Sequence, residues 1–262
     1  MRIATWNVNS LNARMPRVEE WLIQAQPDVV CLQETKMADA AFPALAFEAL
    51  GYESVHHGSG RWNGVAILSR VGLSDPMVGF EPSIEPDTDT RLISATCAGI
   101  RVTSVYVPNG RGLDDPHYVY KLSWLKRLRE HLEATTSPEV PVVVCGDYNI
   151  APTDIDIWDP AAFAGMTHVS QPEREALQNV MDWGLIDTFR ARYPDTPGLY
   201  SYWDYTAGHF HKREGMRIDF CLASAPLANL STLDLVDRNA RKGTKPSDHA
   251  PVIAEYNYPV GP

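Results

Sequence analysis

The chain has 262 residues, 44% of them apolar and 21% charged, the balance of a soluble globular protein able to bury a large core. Its net charge of −10 argues against an unselective electrostatic coat for nucleic acid. No apolar run approaches the roughly 18–20 residues that span a bilayer, so no membrane partner is expected. The opening Met1-Arg2-Ile3 runs straight into a strand-like segment, without a signal-peptide pattern. Cys31, Cys97, Cys145 and Cys221 stand far apart in apolar runs. They read as reduced core thiols of a cytoplasmic protein, not as a disulfide frame or a zinc site.

In chain order, β-like runs predict a strand at 2–6, a helix over Arg14–Gln24 burying Val18, Trp21 and Leu22, and strands at 29–33, 52–57 and 64–69. The stretch 81–90, rich in Pro, Asp and Thr, reads as a surface loop and not as a domain boundary. Strands follow at 92–97 and 100–107. Asp115-Pro116 then opens a helix with a cap and a proline in its first turn. Its apolar face is Tyr118, Leu122, Leu125, Leu128 and Leu132. A strand at 141–146 precedes a capping box of Ser170 and Glu173 around Pro172, with Leu177, Val180 and Met181 as the stripe of the helix it opens. Further strands are predicted at 199–204, 216–223 and 250–256. No 20–50-residue repeat appears, and a single domain over 1–262 is expected. Many strands with a few long helices suggest two packed sheets with helices outside.

Polar residues recur where the apolar runs stop. Asn7-Val8-Asn9 follows Ile3–Trp6, and Gln33-Glu34-Thr35-Lys36 follows Val29–Leu32. Tyr106-Val107-Pro108-Asn109 follows Val102–Val105, and Gly146-Asp147-Tyr148-Asn149 follows Val142–Cys145. Arg217-Ile218-Asp219 enters Phe220-Cys221-Leu222, and Ser247-Asp248-His249 precedes the last strand. Strand alternation would point Asn7 with Asn9, and Asp147 with Asn149. Taken singly, each pair is better explained as a turn former, and its place in the ordered set reverses that. Glu34 at a buried strand end needs a partner, which Lys36 or a Mg²⁺ ion could supply. Asp219 and His249 read as a carboxylate that fixes an imidazole, or as a plain salt bridge. Ser247 lies beside them, but no G-x-S-x-G turn supports a serine hydrolase.

These six segments, in this order, resemble the exodeoxyribonuclease III and apurinic/apyrimidinic (AP) endonuclease family. That family lies in the endonuclease–exonuclease–phosphatase superfamily, with DNase I and the inositol polyphosphate phosphatases. The resemblance implies an α/β fold, a four-layer α/β sandwich of two packed β-sheets flanked by helices. It also implies Mg²⁺-dependent cleavage of damaged double-stranded DNA, with Mn²⁺ substituting, by a monomer. By this resemblance Glu34 is the main metal ligand, with Asn7 and Asp248 near the ion and Asp147, Asn149 and His249 as further candidates. Asp147 activates water, Asn149 and His249 hold phosphate, Tyr106 donates its hydroxyl, and Asp219 orients His249. DNA contacts are expected at Asn9, Lys36, Asn109, Arg111, Lys121 and His168. A sugar pocket is expected from Tyr202, Trp203, Met216 and Ile218. The chain departs from many members at Asn12 (often Arg), Met216 (often Trp or Leu) and His168 (often Gly).

Charge is uneven along the chain. Residues 211–245 hold seven basic side chains, Lys212, Arg213, Arg217, Arg238, Arg241, Lys242 and Lys245, against four acidic ones. A local basic face for phosphates is expected there. Two other readings compete. A phosphatase for inositol phosphates or lipid headgroups would share the metal and His-Asp chemistry, but Gly146–Pro152 and Gly215–Asp219 match the nuclease branch better. A non-catalytic nucleic-acid module would have lost some of Glu34, Asp147, Asp219 and His249, and all four are present.

Overall fold

A computed structural model describes residues 1–259. Within them the chain builds two six-stranded sheets. The first contains β1 (Arg2–Asn7), β2 (Val29–Gln33), β3 (Glu53–His57), β4 (Val65–Ser69), β11 (Ser231–Val236) and β12 (Val252–Tyr256), in the order β11-β12-β1-β2-β4-β3. The second contains β5 (Ser74–Val78), β6 (Leu92–Cys97), β7 (Ile100–Tyr106), β8 (Val142–Asp147), β9 (Leu185–Asp187) and β10 (Asp219–Ser224), in the order β5-β6-β7-β8-β10-β9. Each sheet has one parallel pair at its centre, β1 with β2 and β7 with β8. A parallel pair needs a crossover. Helix α1 (Leu11–Ala25) makes the first crossover and α3 (Pro116–Thr135) the second.

Strand alternation sorts the side chains into three apolar layers. Ile3, Cys31, Ile67, Ala95, Val143 and Cys221 face inward and fill the space between the sheets. Ala4, Trp6 and Val30 face outward and pack on Val18, Trp21 and Leu22 of α1, with Phe47 of the short α2 (Ala44–Ala49). Val105, Val142 and Val144 meet Trp124 and Leu128 of α3 and Leu177 of α4 (Gln171–Met181). The result is the expected four-layer α/β sandwich. The four cysteines are free and buried, as expected.

Several expected elements need correction. Residues 199–204 are not a strand. Tyr202 makes only single bridges, to Met216 and His249, because Asp204 and the turns after it leave no run to pair. The strand expected at 216–223 begins at Asp219, since Met216 is bonded to Tyr202 and Arg217 to Asp156. Strands β5, β9 and β11 escape the sequence patterns. The first is an exposed edge containing Pro76, the second has three residues, and the third buries only its aspartate, Asp234.

Both predicted caps are present. The Asp115 side chain accepts from the His117 amide, and Ser170 and Glu173 form the full capping box. The buried stripe of α3 is broader than its apolar residues suggest. It includes Lys121, Trp124, Arg127 and His131, whereas Leu122 is only half-buried.

His131 is 1% exposed, and its Nδ1 accepts from the Glu81 amide. Burial first, and then Arg101, push its pKa down from 6.5 to about 4. Between those values the unfolded chain binds a proton that the native ring refuses. The stabilisation is therefore complete above pH 6.5 and is lost as pH falls toward 4. One pKa unit is about 1.4 kcal/mol, so the effect is on the order of 3 kcal/mol. Replacing His131 with Gln should flatten the slope of unfolding free energy against pH in that window, measured by urea melts at pH 4.5, 5.5 and 6.5. An unchanged slope would place the titrating group elsewhere.

Candidate active site

The site lies where the central strands of the two sheets end side by side. β1 stops at Asn7 and β8 at Asp147, and the Asn7 Nδ2 donates to Asp147 Oδ2 at 2.9 Å across the sheets. Each strand then turns in the same way. The Asn9 amide donates to Asn7 Oδ1, and the Asn149 amide to Asp147 Oδ1, both at 2.9 Å. Asn9 and Asn149 have φ of 44° and 53°. They are therefore brought in by side-chain turns in left-handed backbone, and the expected alternation along one strand does not extend to them.

Asp219 opens β10 directly opposite Asp147 in the register. Its carboxylate accepts from His249 Nδ1 at 2.9 Å and from the Ser201 hydroxyl at 2.6 Å. The other ring nitrogen, Nε2, lies 3.7 Å from Asp147 Oδ2. Burial opposes charge on this ring, but Asp219 and Asp147 outweigh it and raise the pKa of His249 to about 10. The Asp147 carboxyl is pushed up to about 7. Burial is the main cause, eased by His249 and reinforced by Asp219.

Glu34 follows β2 with φ of 53°. Its Oε1 accepts from Asn7 Nδ2 at 2.8 Å, and its Oε2 lies 2.8 Å from the Lys36 ammonium. Burial would raise its pKa, but Lys36 and Asn7 overcome this and hold the carboxyl below its ordinary value. Lys36 also donates to Asn9 Oδ1, and Asn9 Nδ2 to Asp248 Oδ1. The Tyr106 hydroxyl is beside Glu34. Burial first, then Glu34 and Asp147, keep it protonated far above neutral pH. Glu34, which is ionised, and Asp147 both accept from the Asn7 amide nitrogen, so two carboxylates from different sheets face one another across it. That chemistry fits a hard divalent cation that keeps several waters. One donor atom each from Asp147, Asp219 and His249 also lie within 4.8 Å of one another.

The family model described as Endonuclease/Exonuclease/phosphatase family matches residues 4–249. The chain belongs to that family. It is 33% identical to exodeoxyribonuclease III of Haemophilus influenzae, over 98% of this chain and all of that one. An AP endonuclease from Archaeoglobus fulgidus superposes with a TM-score of 0.95 at 37% identity, covering 98% of this chain and 100% of that one. A 3′ phosphatase from Neisseria, bound to product DNA hairpin, superposes with a TM-score of 0.94 at 39% identity and the same coverage. The protein is thus a metal-dependent hydrolase of the nuclease type.

Several expected contact residues sit elsewhere in this family member. Lys121 is fully buried and paired with Glu173 at 2.5 Å, so its ammonium cannot reach DNA. Arg217 is 2% exposed and bound to Asp156 and Asp187. Arg241 is buried and donates to the Ser247 carbonyl. Both leave the expected basic face, and Lys212, Arg213, Lys242 and Lys245 remain exposed on it. Trp203 packs with Tyr200, Ala250 and Phe210, away from the expected sugar pocket. Met216 and Ile218 do cluster beside Tyr202, whose ring centroid is 4.9 Å from that of His249. Trp158 and Phe163 complete that cluster, and sequence reasoning missed them. Asn109 and Arg111 are exposed, and Asn109 Nδ2 donates to Asn149 Oδ1 at 3.1 Å. Asn12 is exposed on α1, while Arg14 donates to the Asn9 carbonyl.

Two further residues were missed. Ser201 steadies Asp219, and nothing in its surroundings in the sequence marks it out. Trp62 is 63% exposed, with the Arg61 guanidinium 4.9 Å from its ring. Its loop is bonded to the Glu34 turn, as Thr35 and Lys36 amides donate to Gly64 and Asn63 carbonyls. The glycine-bracketed Gly60-Arg61-Trp62-Asn63-Gly64 was the available signal.

If Asp219 charges His249 through this pair, Asp219→Asn should lower the pKa of the ring from about 10 by more than a unit. Nitrogen chemical shifts of the imidazole, followed against pH in metal-free protein, would show it. A ring that still titrates near 10 would leave Asp219 without that role.

Proposed function

We propose that this chain is a Mg²⁺-dependent phosphodiesterase of DNA repair, acting on damaged double-stranded DNA and strongest in cleaning and trimming 3′ ends. One observation carries the reading. A carboxylate able to exchange a proton near neutral pH, Asp147, and a charged imidazole, His249, stand 3.7 Å apart at the meeting point of the sheets. The relatives named above, which are DNA enzymes, support DNA over inositol phosphates as substrate.

Glu34 would hold the ion, with Asn7 and Asp248 near it, and Mg²⁺ bound there would supply charge neutralisation at the phosphate. Asp147 takes the proton of the attacking water, because its raised pKa makes it a competent base. Asn149 steadies that carboxylate, its Nδ2 lying 3.4 Å from Asp147 Oδ2. His249 stays protonated and faces the negative charge that grows on the phosphate oxygens. Tyr106 keeps its phenolic proton and can donate it to the phosphate or to the departing oxygen. The exposed Arg111, Lys212 and Arg213, with Asn109, Asn9 and Lys36, are assigned to the phosphate backbone, and Trp62 to a base or sugar. Tyr202, Met216 and Ile218 are assigned to the terminal sugar.

His168 supports the preference for 3′ ends. Its φ is 77°, a region in which glycine is comfortable and histidine is strained. Its Nδ1 donates to the Asn149 carbonyl, and its Nε2 lies 3.5 Å from Asn109 Nδ2. Burial, with Lys121 nearby, lowers its pKa to about 4 and keeps it neutral. A ring held at the edge of the Asn109–Asn149 pair narrows the room for an extruded abasic sugar. A terminal 3′-phosphate needs no such extrusion.

Purified protein with Mg²⁺ should release phosphate from a 3′-phosphorylated duplex, and EDTA should abolish the reaction. Glu34→Ala should raise the Mg²⁺ requirement, and Asp147→Asn or His249→Gln should each lower kcat about 100-fold or more with little change in DNA binding. Full activity in EDTA would sink the metal assignment, and near-parental kcat in either single variant would remove that residue from the mechanism. His168→Gly should raise incision at an internal abasic site relative to 3′-phosphate removal. Equal changes in both, or none, would defeat the gating role of His168.

A further inference from the structure

We infer that the buried Lys121–Glu173 ion pair is a positioning device that sets the Asn109 and Asn149 loops for the reaction. This rests on the proposed phosphodiester chemistry and adds residues that do not touch the substrate. Both side chains are fully buried, and both come from the outer helices, Lys121 from α3 and Glu173 from α4. The ammonium has three hydrogens and three acceptors: the Asn149 carbonyl at 2.7 Å, the Asn109 carbonyl at 3.1 Å and Glu173 Oε1 at 2.5 Å. Glu173 Oε1 also accepts from the Thr167 hydroxyl and the His168 amide, and its Oε2 from the Ser170 amide and hydroxyl. The same Thr167 hydroxyl, with a single proton to share, also lies 3.1 Å from the Asn109 carbonyl. A cation and an anion are thus spent on holding the backbone of three separate loops.

Stability alone is a poor reason for such a pair. Two buried charges of opposite sign are often no better for the fold than apolar side chains of the same volume. Geometry is a better one. Asn109 and Asn149 are bonded to each other through their amides, and Asn149 touches Asp147. Asn149 sits in left-handed backbone, a conformation that needs outside bonds to persist. Gly110, with φ of 92°, follows Asn109 because a Cβ there would lie 2.6 Å from Thr167 Oγ1 and 3.2 Å from Lys121 Cδ. The loop is drawn down onto the pair, and a shift of the pair moves both asparagines together.

The test is Lys121→Met in the full chain, assayed with Mg²⁺ on a 3′-phosphorylated duplex. A positioning role predicts that kcat falls about 10–100-fold, as it does when supporting partners of a site are lost. KM should change by less than kcat falls, within about threefold, since Asn109 brings only one neutral contact to the DNA backbone. The salt dependence of DNA binding should be unchanged, because the buried cation removed meets no phosphate. The side-chain amide NMR signals of Asn109 and Asn149 should move. Thr167→Val, which deletes one hydroxyl from the same network, should do the same to a lesser degree, and it decides the matter if Lys121→Met does not fold. A folded variant with kcat within about twofold of the parent overturns the inference. So does a loss confined to KM and the salt slope, which would mean that the ammonium reaches DNA after all. Should the parent protein release no phosphate from any duplex, the proposed function fails. The amide signals would still judge the pair, and unmoved signals would overturn the positioning role as well.

Discussion

The Asn7 carboxamide holds the two halves of the site together. Its nitrogen donates to Glu34 Oε1 and to Asp147 Oδ2, so one neutral group sits between two carboxylates from different sheets. A lysine there would cancel their charge, and an aspartate would repel both. An amide gives one N–H to each carboxylate and adds no charge, so the net charge stays negative, which a cation can use. The carbonyl end of the same side chain caps the turn to Asn9, so the amide cannot flip without losing that bond. Glu34 and Asp147 thereby acquire different chemistry: the first is kept ionised by Lys36, while the second is raised to about 7 by burial.

The scaffold makes this meeting possible through repetition. Each sheet carries a central parallel pair joined by a helix on its outer face, and each has a strand ending in a polar side chain that turns the chain in the same way. The halves differ in what they deliver there. The first gives an amide and the second a carboxylate. The acid–base chemistry is therefore one-sided on a nearly symmetric frame.

Much of this was legible in the sequence, and the reason is physical. Strand ends show as a change from apolar to polar residues, and the four-layer frame follows from long helices between strong strands. Asn7, Glu34, Asp147, Asp219 and His249 converge because they share that signature. Burial of a charged side chain has no such mark. Lys121, Arg217 and Arg241 look like any surface cation in the sequence, but their carboxylate or carbonyl partners lie far along the chain or in irregular segments. Trp203 was misassigned for a related reason. Residues 199–204 form no regular strand, so alternation could not say which way its ring points. The left-handed turns at Asn9 and Asn149 were also hidden, because asparagine enters that region without a distinctive neighbour.

The position of β1 ties the start of the chain to its last strand. That strand lies between β2 and β12, with Arg2 opposite Glu255, and His249 is carried into the site just ahead of β12. During synthesis the first strand waits for one of its two neighbours until nearly all of the described chain has been made. Pairing across so long a span of sequence is slow to form. Asp147 can be in place by then, but its imidazole cannot. A chain that stops short of β12 leaves one edge of β1 unpaired and Asp219 without its imidazole partner.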